Sequence, residues 1–324
     1  MTSRHLVDPD LQPLLDESPA ITMTPEVLAQ VRARFAEAFP PGSLAGDDNV
    51  AVDERRIPGP ADAPALRVVV YAPRAAGSQR PALLHLHGGG YVMGAPEMSD
   101  ARNRRLALQL DCVIVSVDYR LAPDAPFPGG LEDAYAALVW LHANAKKLAV
   151  DPARIAVGGE SAGGGLSAGL ALLARDRGEV PLLFQLLIYP TLDDRTNRRS
   201  DPHPYTGEFI WSRESNAFSW SSLLDGSDAP PEMIASYAVP ARASNLSGLP
   251  PAYIAVGALD LYLEENIEYA RRLTRAGVAT ELHVYPGAFH GFDGRSDAPI
   301  GHAFTNDYIA ALGRAFSRKS MQAV

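Results

Sequence analysis

A chain of 324 residues, 47% of them hydrophobic, is long enough for one large α/β domain with an accessory layer and too apolar for wholesale disorder. Its formal net charge of −9, from 29 basic and 38 acidic residues, argues against a nucleic-acid-binding surface and disfavours anionic substrates unless arginines converge in a pocket. With no basic leader followed by an apolar stretch, and no apolar run near the roughly 18 residues of a membrane span, the expectation is a soluble cytoplasmic protein without membrane insertion.

Residues 1–50 carry prolines at 9, 13, 19, 25, 40 and 41 around one periodic segment. There Thr24 reads as a helix cap and Pro25 as the first helical residue, leading into an apolar stripe of Val27, Leu28, Val31 and Phe35. From residue 50 the rhythm changes. Strands are expected at 50–57, 66–71, 83–87, 112–117, 155–159, 183–189, 252–256 and 280–285, with helices at 99–110, 130–145, 162–176, 264–276 and 301–318. The single cysteine, Cys112, excludes an intramolecular disulfide; in its apolar run it reads as a small buried hydrophobe in a protein kept reduced. Short apolar strands alternating with helices imply an α/β fold, a largely parallel sheet with helices on both faces. Right-handed crossovers then put the strand C-terminal ends along one edge, where open sheets place ligands.

Residues 191–249 break that rhythm with a dense aromatic set: Tyr205, Phe209, Trp211, Phe218, Trp220 and Tyr237. A connection of this length should carry helices, and one is expected across about 205–225 as part of a helical cap. The organisation expected is therefore an N-terminal cap arm at 1–50, a catalytic domain formed by 51–190 and 250–324, and an insertion at 191–249 completing the cap.

The reactive constellation starts at Gly159-Glu-Ser161-Ala-Gly163. The G-x-S-x-G spacing fits a sharp strand-to-helix turn that exposes a serine hydroxyl beside a helix N-terminus, although a serine there can also be a plain helix cap. Asp260 follows a strand-like run and His290 sits in a glycine-flanked loop, giving the order serine, acid, histidine used by α/β-hydrolases. For Asp260 the plainer duty is capping a helix. Glu264 and Glu265 are weaker candidates for the acid because they fall on that helix. His87-Gly88-Gly89-Gly90 ends another strand; Gly88 and Gly89, with the amide of Ala162, are the expected oxyanion donors, and His87 is read as ordering the loop. His85 and His87 are read as facing opposite sides of their strand. Without an H-E-x-x-H pattern or a cysteine partner they imply no metal. Asp118-Tyr-Arg-Leu-Ala-Pro-Asp124 is read as structural, its charges tying the oxyanion loop to the body, with a side chain facing a passing carboxylate substrate as the alternative.

In combination, His87-Gly-Gly-Gly90, Asp118 to Pro123 with Phe127-Pro128, Gly159 to Gly164, Asp260 and His290-Gly-Phe292 resemble the hormone-sensitive-lipase-like family of α/β-hydrolase esterases across about residues 50–318. The resemblance implies an α/β-hydrolase fold with an eight-stranded sheet and a helical cap. It implies Ser161 as nucleophile, Asp260 as acid and His290 as base, with Gly88, Gly89 and Ala162 as the oxyanion hole. It further implies a small-molecule ester of short to medium acyl length as substrate, no cofactor, no metal, and the homodimer that family members often form. Two positions depart from the family pattern: Glu160 stands where aspartate is usual, and Leu263 where a second acid is usual, with Glu264 following. The alternatives are an amidase, lactonase or carbamate hydrolase with the same triad, or a non-catalytic small-ligand-binding protein on this fold.

Overall fold

The computed structural model describes residues 3–18, 21–61, 63–295 and 297–317. Its framework is an eight-stranded sheet built from β1 (Val50–Ile57), β2 (Leu66–Pro73), β3 (Arg80–Leu86), β4 (Val113–Asp118), β5 (Val150–Glu160), β6 (Phe184–Ile188), β7 (Ala252–Gly257) and β8 (Thr280–Tyr285). The spatial order is β1-β2-β4-β3-β5-β6-β7-β8. Only the β1–β2 and β2–β4 pairings are antiparallel; the pairings from β4 to β8 are parallel, and the central strands β4, β6 and β7 are the near-continuous apolar runs expected of strands covered on both faces, while β8 is a half-exposed edge.

The helices are α1 (Gln12–Glu17), α2 (Pro25–Ala38), α3 (Asp100–Gln109), α4 (Gly129–Ala143), α5 (Ala162–Arg177), α6 (Arg213–Leu224), α7 (Pro231–Met233, continuing as a wider turn over Ile234–Ala238), α8 (Leu263–Arg275) and α9 (Pro299–Ser317). Strand alternation sorts the core into two halves. Leu84 and Leu86 of β3 pack with Leu131 and Leu138 of α4 and Leu170 of α5. Leu83, pointing the other way, packs with Leu106 of α3 and Phe304 and Leu312 of α9. Each fully buried leucine or phenylalanine contributes about 1.5–3 kcal/mol, so both faces of the sheet are held by substantial cores.

The expected strands at 50–57 and 280–285 are found at those bounds. β5 starts five residues early, at Val150, because an irregular pairing with Arg80 recruits Val-Asp-Pro-Ala-Arg, which has no strand pattern. The helix expected over 205–225 is shorter. Gly207 and Ile210 take positive φ values, and α6 begins only after Ser212, whose hydroxyl accepts from Ser215 N. α1 was not expected from the proline-rich arm. Pro19 of that arm and position 318 of the last helix lie outside the described residues.

Parts of the N-terminal segment and of the 191–249 stretch pack against each other. Met23, Trp211, Leu261 and Tyr262 make a separate apolar cluster, with Val27 and Val31 of α2 and Phe218 of α6 packed on it. Met23 N donates to Ser215 Oγ (3.0 Å), and Ser215 Oγ donates to Ile21 O (2.9 Å). Arg32 fastens α2 by donating to Val92 O and Ala122 O, each at 2.7 Å.

Candidate active site

Ser161 sits between β5 and α5 with φ 55° and ψ −120°, a conformation that costs a non-glycine residue about 1–3 kcal/mol. The strain is held by backbone bonds. Ser161 N donates to Ile188 O (2.9 Å), while Gly165 N and Thr191 N donate to Ser161 O (2.9 and 3.1 Å). The flanking glycines are required by close approach, since a Cβ at either Gly159 or Gly163 would lie 2.0 Å from Leu86 O. The serine side chain does not cap α5, which disposes of the plainer duty weighed for it.

The Ser161 hydroxyl instead donates to His290 Nε2 (2.9 Å), and His290 Nδ1–H donates to Asp260 Oδ2 (2.9 Å). Asp260 is fully buried after β7, and its other oxygen accepts from Tyr262 N (2.9 Å), so it both organises the start of α8 and fixes the imidazole. The rings of Tyr189 and Tyr262 meet His290 edge-on at 4.8 and 5.1 Å, and Gly291, at φ 74°, turns the loop behind it.

The two other glutamates considered for the acid point elsewhere. Glu264 pairs with Arg199 at the surface. Glu265, fully enclosed, accepts from Leu192 N (2.6 Å), Asp193 N (3.3 Å) and Thr196 Oγ1, clasping the segment after β6 onto α8. Burial pushes its carboxyl up to about 8, against the opposing pull of the Leu192 amide. Because this lies above the value of about 4.3 for an unfolded glutamate, the folded chain keeps a proton that the unfolded chain has lost between the two. The resulting stability is complete at low pH and falls as pH rises toward 8. Glu265→Gln, which imitates the protonated group, should match the parent in Tm near pH 4 and exceed it increasingly up to about pH 8. Parallel melting curves for the two proteins, differing by a constant offset across that range, would contradict this.

Gly88 lies against Ser161: a Cβ there would be 3.6 Å from Ser161 Cβ. Gly89 has φ 121°, and a Cβ on it would meet Met93 O at 2.1 Å. Among the described residues the amides of Gly88, Gly89 and Ala162 donate to no acceptor, which leaves them free beside the serine. His87 Nδ1–H donates to Gly88 O (2.8 Å) and its ring stacks on Tyr119 at 4.3 Å; burial pushes its pKa down to about 4, keeping it neutral. The tie from Asp118-Tyr-Arg to this loop is not a charge, as expected, but the Tyr119 hydroxyl, which donates to His87 O (2.8 Å). Asp118 and Arg120 pair away from the loop, with Arg67 and Asp133.

His85 and His87 do hold different partners, though not because two positions separate strand faces: residues two apart share a face, and His87 lies past the strand's last residue, Leu86. His85 is engaged by Ser116 Oγ (2.9 Å) and Glu160 (3.1 Å). Glu160 also meets the guanidinium of Arg102, whose other nitrogen binds Asp293; Tyr189 OH donates to Asp293 (2.6 Å). Burial works to raise the Glu160 carboxyl, but Arg102 and His85 outweigh it and hold the group well below the usual range. Arg102 therefore bridges Glu160, just before Ser161, to Asp293, three past His290. Sequence reasoning missed Arg102, Tyr189 and Asp293, for which no local pattern exists. A pocket of about 540 Å³ opens onto Ser161 and His290, lined also by Gly88, Gly89 and Trp211 and by residues of α3 and α9. Among the described residues no helix is long and apolar enough to cross a membrane, and no group of three or more His, Cys, Asp or Glu could hold a metal ion.

Residues 83–294 match the family model described as alpha/beta hydrolase fold. Carboxylesterase NlhH of Mycobacterium tuberculosis is 37% identical over 318 residues, covering 97% of each chain. Among solved structures, a bacterial heroin esterase superposes with TM-score 0.89 at 38% identity, covering 98% of this chain and 100% of that one. The esterase LipW from Mycobacterium marinum gives 0.82 at 34% identity, with 97% and 98% covered. The motifs, the sheet order, the hydrogen-bonded Ser161 and His290, and these likenesses agree: the chain is a serine hydrolase belonging to the hormone-sensitive-lipase-like family of α/β-hydrolase carboxylesterases.

Proposed function

We propose that the protein hydrolyses carboxylic esters of short to medium acyl length with Ser161 as nucleophile, His290 as base and Asp260 as acid. The observation that carries the reading is the unbroken relay from Ser161 Oγ through His290 to Asp260, both links 2.9 Å, at the mouth of the pocket. As Ser161 Oγ attacks the ester carbonyl, His290 Nε2 takes its proton and Asp260 stabilises the imidazolium. The carbonyl oxygen becomes an anion received by the amides of Gly88, Gly89 and Ala162. His290 then returns the proton to the departing alkoxide, leaving an acyl-enzyme, and activates water to release the acid by the same steps reversed.

A pocket of about 540 Å³ suits a small substrate. The cap boundaries at 1–50 and 191–249 around a 51–190 and 250–324 body belong to the same reading, supported by the shared cluster of Met23 and Trp211. So do a cytoplasmic setting, supported by the single buried thiol of Cys112, and a homodimer, supported by Leu282 and Val284 exposed on the edge strand β8. The test is a series of nitrophenyl esters from acetate to dodecanoate, with organophosphonate labelling located by mass spectrometry. Rates should peak among the shorter chains and the label should fall on Ser161; labelling elsewhere, with turnover untouched, would refute the assignment.

A further inference from the structure

The ester reading leaves one wall of the pocket without a task. Arg102 and Arg105, one turn apart on α3, both line it, and Thr305 and Tyr308 of α9 line it with them. Arg102 is fully engaged by Glu160 and Asp293, and its guanidinium carbon sits 6.0 Å from the centre of the Tyr308 ring. Arg105 is half-buried and, among the described residues, meets no carboxylate or carbonyl. The hydroxyls of Thr305 and Tyr308 likewise make no hydrogen bond among the described residues, although Tyr308 is only 2% exposed. The two acids on this wall, Glu160 and Asp293, are the ones Arg102 already holds.

The Arg105 guanidinium and two hydroxyls, on residues lining one cavity and with no acceptor among the described residues, form a donor set suited to an anion. Resting on the ester-hydrolase reading above, we propose that this wall is a carboxylate-binding subsite and that the preferred substrates are esters bearing a free carboxylate on the portion lying along α3 and α9. One unpaired cation flanked by neutral hydroxyls matches a single negative charge. A phosphate dianion fits less well, because Glu160 and Asp293 share the wall. The guanidinium fork suits a planar carboxylate bidentately, so Arg105 sets specificity without touching the reacting atoms.

The experiment compares kcat/KM for two anionic probes and their terminal carboxamide analogues: the monoethyl ester of a dicarboxylic acid, with the charge on the acyl side, and the acetyl ester of a hydroxy acid, with the charge on the alcohol side. The parent should favour at least one carboxylate probe over its carboxamide, and the preference should shrink with added salt. Arg105→Gln should lower kcat/KM for that probe about tenfold or more, chiefly through KM, and leave the carboxamide within about twofold. Arg105→Lys should recover part of the loss, and Tyr308→Phe should reduce the preference in the same direction. Equal rates on charged and neutral probes, or an Arg105→Gln loss shared by both, would overturn the subsite while leaving the hydrolase reading intact. A Ser161→Ala protein with full turnover would remove both together.

Discussion

Ser161→Ala is expected to lower kcat for a nitrophenyl ester by roughly 10⁴- to 10⁶-fold, the scale on which serine triads fail when the nucleophile is removed. The residual rate should come from substrate binding and from the free amides of Gly88, Gly89 and Ala162, which the substitution leaves in place. Stability should hardly move, because the backbone bonds fixing the turn, from Ser161 N to Ile188 O and from Gly165 N and Thr191 N to Ser161 O, all survive. Asp260→Asn should cost about 10⁴-fold by favouring the wrong imidazole tautomer while preserving shape. The check is pre-steady-state kinetics beside thermal melting: a vanished burst with an unchanged Tm supports the assignment, whereas a burst retained in Ser161→Ala would end it.

The second large effect is on folding. Gly163→Ala should destabilise the protein by about 4 kcal/mol or more, or prevent its accumulation, because the new methyl would lie 2.0 Å from Leu86 O and 2.5 Å from His87 O. Both obstacles are backbone, at the end of a strand paired on both sides, so neither can swing away. Gly163 lies in α5 without a positive φ, and the cost is therefore steric. Gly226→Ala is the matched control. Its φ is 82° with nothing within 4 Å, and it should cost only about 1 kcal/mol. Similar denaturant midpoints for the two variants would show that β3 yields more easily than its pairing implies.

These outcomes follow from residues that announce themselves in the sequence. Gly159 and Gly163 flank a serine at the end of an apolar run, and the close approach demanding them is local, so the turn is readable without coordinates. Asp260 and His290 are readable because each lies in the loop that follows a strand-like segment, three residues past β7 and five past β8. The rest depends on contacts between distant parts of the chain. Arg102 lies 58 positions before Glu160 and 191 before Asp293, and nothing in the amphipathic pattern of α3 marks it as a bridge. The helix expected over 205–225 starts late for a related reason: Phe209 packs on Phe289 from irregular backbone, so the spacing before Ser212 carries no helical period. The first half of β5 is extended because Arg80 pairs with Val150, against the leaning of its own proline.

The Arg102 bridge separates the machinery from its cover. Glu160, Tyr189, Asp293 and Arg102 all lie outside residues 1–50 and 191–249, so the Ser161 turn and the His290 loop are lashed to each other without help from those segments. Rearrangement of α2 and α6 during a catalytic cycle would therefore leave the Ser161–His290 hydrogen bond with this bracing intact, since none of these four side chains comes from them.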